Sequence, residues 1–413
     1  MLIPLEEARA YVLDRVAPLE AADLARDRAV GCVAAAAVRS PEDVPPFANT
    51  AMDGFAVQAA DTARAPVELI ISGTLAAGAD PATVKVEPGT AVRIMTGAPI
   101  PLGADAIVMV ERTSVVDDGR RVRIEQPANE GDHIRPAGDD IHAGDTVISA
   151  GAVLGAGHIG VLASIGVDTV RVHRRPRVGV LSTGDELVTG GASLRPGQIR
   201  DSNRHALVPL VREVGGDVVD LGLVRDDRGA ITAAIERAAS DCDALLTSGG
   251  VSMGDFDLVK QVLDDLGDMR WMQIAIKPAK PFAFGLVGDR NLPVFGLPGN
   301  PVSSLVSFEL LARPALRRML GFGDDQLGRL TVRAVVDDDA GRRRVDGKVH
   351  FNRVIARYDE DDSRFHVVSA GGQGSHQLGA MAAANALMIV PDGDGIAASG
   401  EAEVMLLSLP FSR

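Results

Sequence analysis

The segment TSGGVSMGDFD, residues 247–257, combines residues that can hold an anion with acids that can hold a metal. Its glycines let a ligand approach the backbone closely, its serines add hydroxyl groups, and neighbouring backbone amides can cradle a phosphate. The same composition also fits an ordinary tight turn after a strand. The residues concerned are Ser248, Gly249, Gly250 and Ser252, followed by Asp255 and Asp257.

Acidic residues recur in two other segments that follow predicted strands, STGDE (182–186) and VRDDR (224–228). Ligands of parallel α/β sheets bind beyond the carboxyl ends of the strands, so these loops are expected to converge. Converging carboxylates repel unless a cation neutralises them, and Mg²⁺ takes oxygen ligands and bridges carboxylates to phosphates. We therefore predict a magnesium site. Its predicted ligands are Glu186, Asp226 and Asp255, whereas Asp227 and Asp257 are better explained as helix caps or exposed residues.

Two lysines in AIKPAKPFAFG, residues 275–285, each precede a proline. Prolines restrict the backbone, so the ammonium groups of Lys277 and Lys280 can be preset towards an oxyanion. A solvated basic loop is the alternative explanation. We predict that both lysines contact substrate oxygens.

The segment GLPGNPVSS, residues 296–304, leads from a predicted strand into a predicted helix. Free backbone amides and the helix dipole make such a junction an anion-binding feature, although many junctions of this kind only cap their helix. The candidate binding residues are Pro298, Gly299, Asn300, Pro301 and Ser303.

Four further residues are candidates on weaker grounds. Arg353 in HFNRV and Ser375 in GGQGSH offer donors to an oxyanion, but a surface charge and an ordinary turn explain them equally well. Asp53 in NTAMDGFAV and Thr96 in RIMTGAPIP each also fit a β-turn.

Several classes of function lack the residues they need. No loop ends in GK[ST], no Ser/His/Asp set can be assembled, and Cys32 and Cys242 match no disulfide or zinc spacing. A net charge of −14 disfavours nucleic acid, and no apolar run reaches the roughly 20 residues of a membrane span. We expect buried, reduced thiols and a cytoplasmic protein without nucleic-acid or membrane partners.

Apolar periodicity and turn residues divide the chain into helical, β and mixed segments. Residues 5–28 predict two helices separated by Pro18, and residues from about 58 to 135 predict short strands of an inserted β domain. From residue 177 onward, short apolar strands alternate with amphipathic helices, which is typical of a parallel sheet. A helix is predicted over 301–321, kinked or divided at Pro314, and strands are predicted after it.

Nine motifs in one order resemble the molybdopterin molybdotransferase family, which includes MoeA and the E domain of gephyrin. They are NTAMDGFAV, RIMTGAPIPLGADAIV, RPAGDDI, RVGVLSTGDELV, PGQIRDSN, LGLVRDD, TSGGVSMGDFDLVK, IKPAKPFAFG and GLPGNPVSSLVSFEL. The sequence departs from the family at three positions. Ala279 stands where the family's KPGKP pattern has glycine, and Phe55 and Phe256 stand where tyrosines are frequent.

The resemblance implies a four-domain, elongated homodimer. The implied domains are an elongated helical N-terminal dimerisation region, an inserted small β-rich domain, a central doubly wound and mostly parallel α/β domain that binds molybdopterin, and a C-terminal β-barrel-like domain. Their boundaries are 1–45 with 136–172, 46–135, 173–322 and 323–413, respectively. The active cleft would lie between the α/β domain of one subunit and the inserted domain of the other.

The resemblance also implies an activity, the insertion of molybdate into adenylylated molybdopterin with Mg²⁺-dependent release of AMP. Asp53, Thr96, Asp139 in RPAGDDI, Glu186, Asp226 and Asp255 would serve as metal-binding and substrate-positioning residues. Lys277, Lys280, Ser303, Arg353 and Ser375 would hold molybdate and phosphate oxygens.

Two alternative functions stay open at this stage. One is the related molybdopterin adenylyltransferase, whose α/β domain resembles residues 175–320 only, and which could also be a partner of this protein. The other is a non-catalytic dimeric scaffold. The inserted and C-terminal domains argue against the first alternative, and the intact acids and lysines argue against the second.

Overall fold

The computed structural model describes residues 2–191, 193–250, 258–341 and 345–409. The chain divides into two compact units, Leu24–Val30 with Ala36–Val170 in one, and Met1–Asp23, Gly31–Ala35 and Arg171–Arg413 in the other. No helix of the described residues is long and apolar enough to cross a membrane. Cys32 and Cys242 are both buried and unbridged, as predicted, and burial raises the pKa of the Cys242 thiol to about 11.

The N-terminal segment corrects the sequence prediction. Helix α1 (Leu5–Leu13) is present, but Ala21–Ala25, predicted to continue as a second helix after Pro18, forms strand β1. Isolated helices shorter than about 12 residues are marginal, and only a short segment remains after Pro18. Extended backbone gains partners instead, because the Arg174 amide donates to the Glu20 carbonyl.

The unit of residues 24–30 and 36–170 is built mainly of short strands. They are β2 (Val38–Arg39), β3 (Asn49–Thr50), β4 (Gly54–Val57), β5 (Val67–Leu75), β6 (Thr90–Ile94), β7 (Ala106–Met109), β8 (Thr113–Val116), β9 (Arg121–Ile124), β10 (Ile134–Arg135) and β11 (Thr146–Ile148), with helices α2 (Ala59–Thr62) and α3 (Ala156–Ser164). Six of these strands form one sheet in the order β7-β4-β6-β5-β9-β8. Phe55 and Val57 pack into one apolar cluster and Ala56 into another, so successive residues of β4 serve opposite faces.

The other unit contains the predicted α/β region. Its strands are β12 (Thr169–His173), β13 (Arg177–Thr183), β14 (Leu187–Val188), β15 (Ile199–Arg200), β16 (Asp217–Val224), β17 (Ala244–Ser248), β18 (Gly267–Gln273), β19 (Ile276–Lys277), β20 (Pro281–Val287) and β21 (Leu292–Leu297), and its helices are α4 (Asn203–Val214), α5 (Arg228–Asp241) and α6 (Leu258–Leu266). The main sheet has the order β16-β13-β17-β21-β20-β18. Its first four strands are mutually parallel, whereas β20 is antiparallel to both neighbours.

Helices cover both faces of this sheet, which confirms the doubly wound prediction. Val180 of β13 and Leu246 of β17 pack with α4 in one apolar cluster. Leu181, which follows Val180, and Leu245, which precedes Leu246, pack with α5 and α6 in a second cluster. Alternate side chains of a strand point to opposite faces of the sheet, so a strand that is apolar throughout exposes apolar side chains on both faces. Each face therefore needs a covering layer of helices.

The predicted helix over 301–321 is divided, as expected, near Pro314. Helix α7 (Pro301–Ser307) runs into one turn of π-helix, Phe308–Ala312, and then into α8 (Arg313–Met319). Proline lacks the amide needed for a helical hydrogen bond to the preceding turn, and the wider π-turn lies just before it.

The C-terminal strands close into a barrel. They are β22 (Thr331–Val336), β23 (Val349–Asp359), β24 (Arg364–Ser369), β25 (Ala386–Val390) and β26 (Glu401–Leu406), with helix α9 (Leu378–Ala383) before β25. The pairing order β23-β24-β22-β26-β25 returns to β23, which closes a five-stranded ring. Strand β19 pairs in parallel with β23, so that Lys277 lies opposite His350.

Candidate functional site

The four loops predicted to converge open at one edge of the main sheet. They follow β13, β16, β17 and β21, and these strands are parallel, so their carboxyl ends share that edge. This confirms the sequence-based placement of STGDE, VRDDR, GLPGN and the start of TSGG. Ser252, Asp255 and Asp257 lie outside the described residues.

The acidic loops after β13 and β16 contact each other. The Asp185 amide donates to an Asp226 carboxylate oxygen at 3.3 Å, and the Asp226 amide donates back to Asp185 at the same distance. The Glu186 carboxylate folds back over Gly184. Neither Glu186 nor Asp226 pairs with a cationic side chain in the part of the chain that the structure describes. Both are exposed, and their oxygen atoms are the donor type that Mg²⁺ takes.

No group of three or more His, Cys, Asp or Glu side chains is arranged to hold a metal within the described ranges. Glu186 and Asp226, two of the three predicted magnesium ligands, lie in loops that contact each other. The third, Asp255, lies outside the described residues. Asp227 is instead a helix cap, as predicted, because its side chain accepts a hydrogen bond from the Ala230 amide at 2.9 Å.

The glycines at this edge are fixed by close packing and by backbone conformation. Gly249 and Gly250 have φ values of 94° and 73°, which disfavour any side chain. A Cβ on Gly250 would lie 2.4 Å from Val259, and one on Gly299 would reach to 4.0 Å from the Gly249 Cα. The loops after β17 and β21 therefore run side by side, with Gly249 half-buried and Gly299 exposed.

A cavity of about 1220 Å³ lies beside the N-terminus of α7, between the KPAKP segment and the barrel. Six of the predicted site residues line it together. They are Lys277, Lys280, Asn300, Ser303, Arg353 and Ser375. Sequence patterns alone offered only weak grounds for Arg353 and Ser375 as binding residues, yet both line this cavity.

The two lysines of this cavity are held by an unusual residue between them. Ala279 adopts a φ of 75°, in the region that favours glycine, and is 2% exposed. Its amide donates to the Ser303 hydroxyl at 3.3 Å. Neither Lys277 nor Lys280 forms an ion pair with a described residue, so both ammonium groups can accept a substrate oxyanion as a partner.

Arg353 is a buried cation without a described carboxylate partner. It is 1% exposed, its Nη2 donates to the Gly372 and Gly374 carbonyls at 2.8 and 3.1 Å, and its Nε has no hydrogen-bond partner. Burial lowers the pKa of its guanidinium. A buried charge is costly unless an opposite charge compensates it, so this group calls for an anion.

The loop that carries Ser375 is joined to both Arg353 and α7. The Val302 amide donates to the Ser375 carbonyl at 3.1 Å. The Gly374 amide donates to Gln377, which fixes the turn that supplies Ser375. Ser303 of α7 and Ser375 of the loop before α9 therefore line the same cavity.

Sequence reasoning missed the residues that β23 and the preceding loop contribute to the cavity. Lys348, His350 and Asn352 line it, as do Asp346 and Gln373. Burial opposes ionisation of Asp346, but hydrogen bonds from His350 and Lys348 outweigh it and lower its pKa to about 2. The missed signal is the alternation in KVHFN, where polar residues alternate with Val349 and Phe351.

Three predicted residues lie in the other unit. The Thr96 amide and hydroxyl both donate to one Asp53 oxygen, at 2.7 and 2.8 Å, so this pair is formed as a unit. The backbone hydrogen bond from Thr96 is the main cause that lowers the pKa of Asp53. Asp139 is exposed, directly after the turn at Gly138.

The doubly wound sheet carries glycine loops and acids at its carboxyl edge, and the neighbouring cavity contains buried and exposed cations. This combination is typical of proteins that bind phosphorylated or oxyanionic ligands. Three family models cover most of the chain. They are the MoeA N-terminal region (domain I and II) over 3–166, the probable molybdopterin binding domain over 179–318, and the MoeA C-terminal region (domain IV) over 332–407.

Whole-chain relatives agree with these models. The chain is 36% identical over 401 residues to the molybdopterin molybdenumtransferase of Haemophilus influenzae, covering 97% of each chain. It is 39% identical over 376 residues to molybdopterin molybdenumtransferase 2 of Mycobacterium tuberculosis, covering 88% of this chain and 89% of the other. The crystal structure of the molybdopterin biosynthesis moeA protein from Pyrococcus horikoshii matches with a TM-score of 0.79 and 32% identity, over 99% of this chain and all of that one. The chain belongs to the MoeA family of molybdopterin molybdenumtransferases.

Proposed function

We propose that this protein is a molybdopterin molybdenumtransferase that inserts molybdate into adenylylated molybdopterin, releases AMP and forms molybdenum cofactor. The observation that carries the proposal is the Arg353 guanidinium, 1% exposed and without a described carboxylate partner, in a cavity that also holds Lys277 and Lys280. Such a set of cations matches a tetrahedral oxyanion, because several donors can converge on its oxygens.

In this proposal, the cavity holds molybdate. Arg353, Lys277 and Lys280 supply the positive charge, and the Ser303 and Ser375 hydroxyls donate to the remaining oxygens. The pterin substrate extends from the cavity towards the carboxyl edge of the sheet. Its phosphate groups contact the glycine loops, through Ser248, Gly249, Gly250 and Ser252 after β17 and through Pro298, Gly299, Asn300 and Pro301 before α7.

Glu186, Asp226 and Asp255 would hold Mg²⁺ in this arrangement. The exposed oxygens of Glu186 and Asp226, without a described cationic partner, support that role. When bound, Mg²⁺ neutralises charge on the pyrophosphate that links AMP to the pterin. The lysines would stabilise the charge that develops on the leaving AMP, and the loop backbones would keep the phosphate chain in position.

The resemblance to the family supports a further part of the proposal, a homodimer in which Asp53, Thr96 and Asp139 of one subunit complete the site of the other. It also supports the four-domain division predicted from the sequence, a cytoplasmic location and hand-over of substrate from the molybdopterin adenylyltransferase. The preformed Asp53–Thr96 pair fits a catalytic role, because a carboxylate held by two donors keeps a fixed orientation.

The proposal is tested by measuring AMP release from adenylylated molybdopterin with and without molybdate and with and without Mg²⁺. We expect release to require both. AMP release that does not depend on molybdate, or net adenylylation of molybdopterin from ATP, would contradict the proposal and favour an adenylyltransferase. Light scattering at micromolar concentration tests the dimer, and a particle of the single-chain mass, 43.1 kDa, would contradict it.

A further inference from the structure

We infer that Asn203 is a positioning residue that sets the spacing between the two glycine loops of the pterin site. Asn203 is the first residue of α4, and its Nδ2 donates to the Ser248 hydroxyl at 2.8 Å and to the Gly299 carbonyl at 2.8 Å. One side chain thus joins the end of β17 to the loop after β21. The inference rests on the proposed function.

Backbone pairing alone does not fix these loops. The ladder between β17 and β21 ends where the Gly249 amide donates to the Leu297 carbonyl at 3.1 Å. Beyond that bond, no backbone hydrogen bond between described residues joins the two loops. Glycine backbones are conformationally free, so a cross-link at this point limits how far the loops can separate.

A network of hydrogen bonds and ion pairs anchors the first turn of α4, which carries Asn203. Asp201, 4% exposed, accepts hydrogen bonds from the Ser182 hydroxyl at 3.1 Å and from Arg204 Nε at 2.8 Å. Arg204 Nη1 also contacts both carboxylate oxygens of Asp220 at 2.9 and 2.7 Å. Since Ser182 lies on β13 and Asp220 on β16, the first turn of α4 is anchored to two strands and reaches the other two through Asn203.

The chemistry at position 203 requires an amide. Both contacts are donated by one NH₂ group to two acceptors, a hydroxyl and a carbonyl. A carboxylate of the same shape has no protons to donate and would repel the Gly299 carbonyl, and its charge would oppose a phosphate between the loops. The isosteric change Asn203→Asp is therefore expected to harm binding more than removal of the side chain.

The test compares steady-state AMP release by the full-length wild type, Asn203→Ala and Asn203→Asp, with Arg212→Ala, at an exposed position of the same helix, as the matched control. Loss of two neutral hydrogen bonds, each worth about 1 kcal/mol, corresponds to a rise of up to roughly thirtyfold in the KM for adenylylated molybdopterin. We expect the KM for molybdate to change little, because the cavity cations do not contact Asn203. The thermal midpoint should fall by roughly a few degrees, because two internal hydrogen bonds are lost. Direct titration of each variant with adenylylated molybdopterin should show the same rise in Kd, larger for Asn203→Asp.

The outcomes separate this inference from the proposed function. A wild type without molybdate-dependent AMP release would overturn both. An active wild type, with Asn203→Ala and Asn203→Asp unchanged in KM and Kd for the pterin, would overturn the inference alone. A fall in the thermal midpoint and in kcat with both KM values unchanged would also overturn it, since that pattern describes a merely structural residue.

Discussion

Gln373 and Arg353 form two reciprocal hydrogen bonds between a side chain and a backbone. The Arg353 amide donates to Gln373 Oε1 at 2.8 Å, and Gln373 Nε2 donates to the Arg353 carbonyl at 3.0 Å. The same Nε2 also donates to the Gly371 carbonyl at 2.9 Å. This arrangement holds the loop so that the Gly372 and Gly374 carbonyls can fix the Arg353 guanidinium. The cavity therefore contains a charge whose position is set before any anion arrives.

Replacing this charge should weaken molybdate binding. For Arg353→Met, which keeps the apolar part of the side chain, we expect the KM for molybdate to rise roughly 10- to 100-fold, because hydrogen bonds to charged groups are worth about 1.5–3 kcal/mol. The KM for the pterin should change less. Arg357→Met is the control, since Arg357 lies on the same strand but pairs with Asp337 outside the cavity. An unchanged molybdate KM in Arg353→Met would remove Arg353 from the proposed site.

The magnesium proposal predicts a selective effect of Asp226→Asn. Losing one anionic ligand should raise the Mg²⁺ concentration for half-maximal AMP release by at least about tenfold. Asp227→Asn is the neighbouring control. Asn is as good an N-cap as Asp, and Asp227 caps α5, so this change should leave both Mg²⁺ dependence and stability near wild type. Equal Mg²⁺ responses in the two variants would contradict the assignment of Asp226.

Ala279 should accept glycine at little cost, although glycine normally destabilises. The change Ala279→Gly removes the strain of a Cβ at positive φ, which costs about 1–2 kcal/mol. Two opposing terms destabilise the variant: the lost buried methyl, worth about 0.8 kcal/mol, and the greater entropy of the unfolded chain, worth about 0.5–1 kcal/mol. The free energy of unfolding in urea should therefore stay close to the wild-type value. Ala233→Gly, on the exposed face of α5, should lose about 1 kcal/mol. A larger loss in Ala279→Gly than in this control would contradict the prediction.

The pH dependence of stability should report on His366. Its ring nitrogens contact Asp337 at 2.7 Å and Asp362 at 3.0 Å, and the hydrogen bond to Asp337, followed by that to Asp362, raises the pKa of His366. Because the pKa of His366 is higher in the folded state than in the unfolded state, protonation of the ring stabilises the fold. This stabilisation is fully present below the pKa of the unfolded state, about 6.5, and is lost as pH rises through the pKa of the folded state.

The measurement is the urea midpoint of wild type and His366→Gln at several pH values from about 6 to about 9. The wild type should lose more stability than the variant as pH rises across this range. His376→Gln, at an exposed position of the loop before α9, is a control for loss of an imidazole. Parallel pH curves for wild type and His366→Gln would show that the two aspartates do not stabilise the charged ring.

Periodicity and turn chemistry predicted most of the α/β domain correctly. The apolar residues Ile231, Ile235 and Ala238 recur at helical spacing, and they are the buried face of α5. The segment after Pro18 was predicted wrongly: its residues favour helix, but Ala21–Ala25 forms strand β1, which pairs with a distant part of the chain. Propensity is a weak prior, and in short segments tertiary partners decide.

The sequence alone determined which residue types stand at the strand ends and in which order the motifs occur, and that was sufficient to indicate the family and most candidate residues. Only the tertiary structure decided that Lys277, Ser303 and Arg353 line one cavity, and that Lys348, His350 and Asn352 join them. Their proximity depends on the pairing of β19 with β23, which sets Lys277 opposite His350. Strand register between distant segments is fixed by burial and packing of the whole unit, and local sequence patterns carry too little information to specify it.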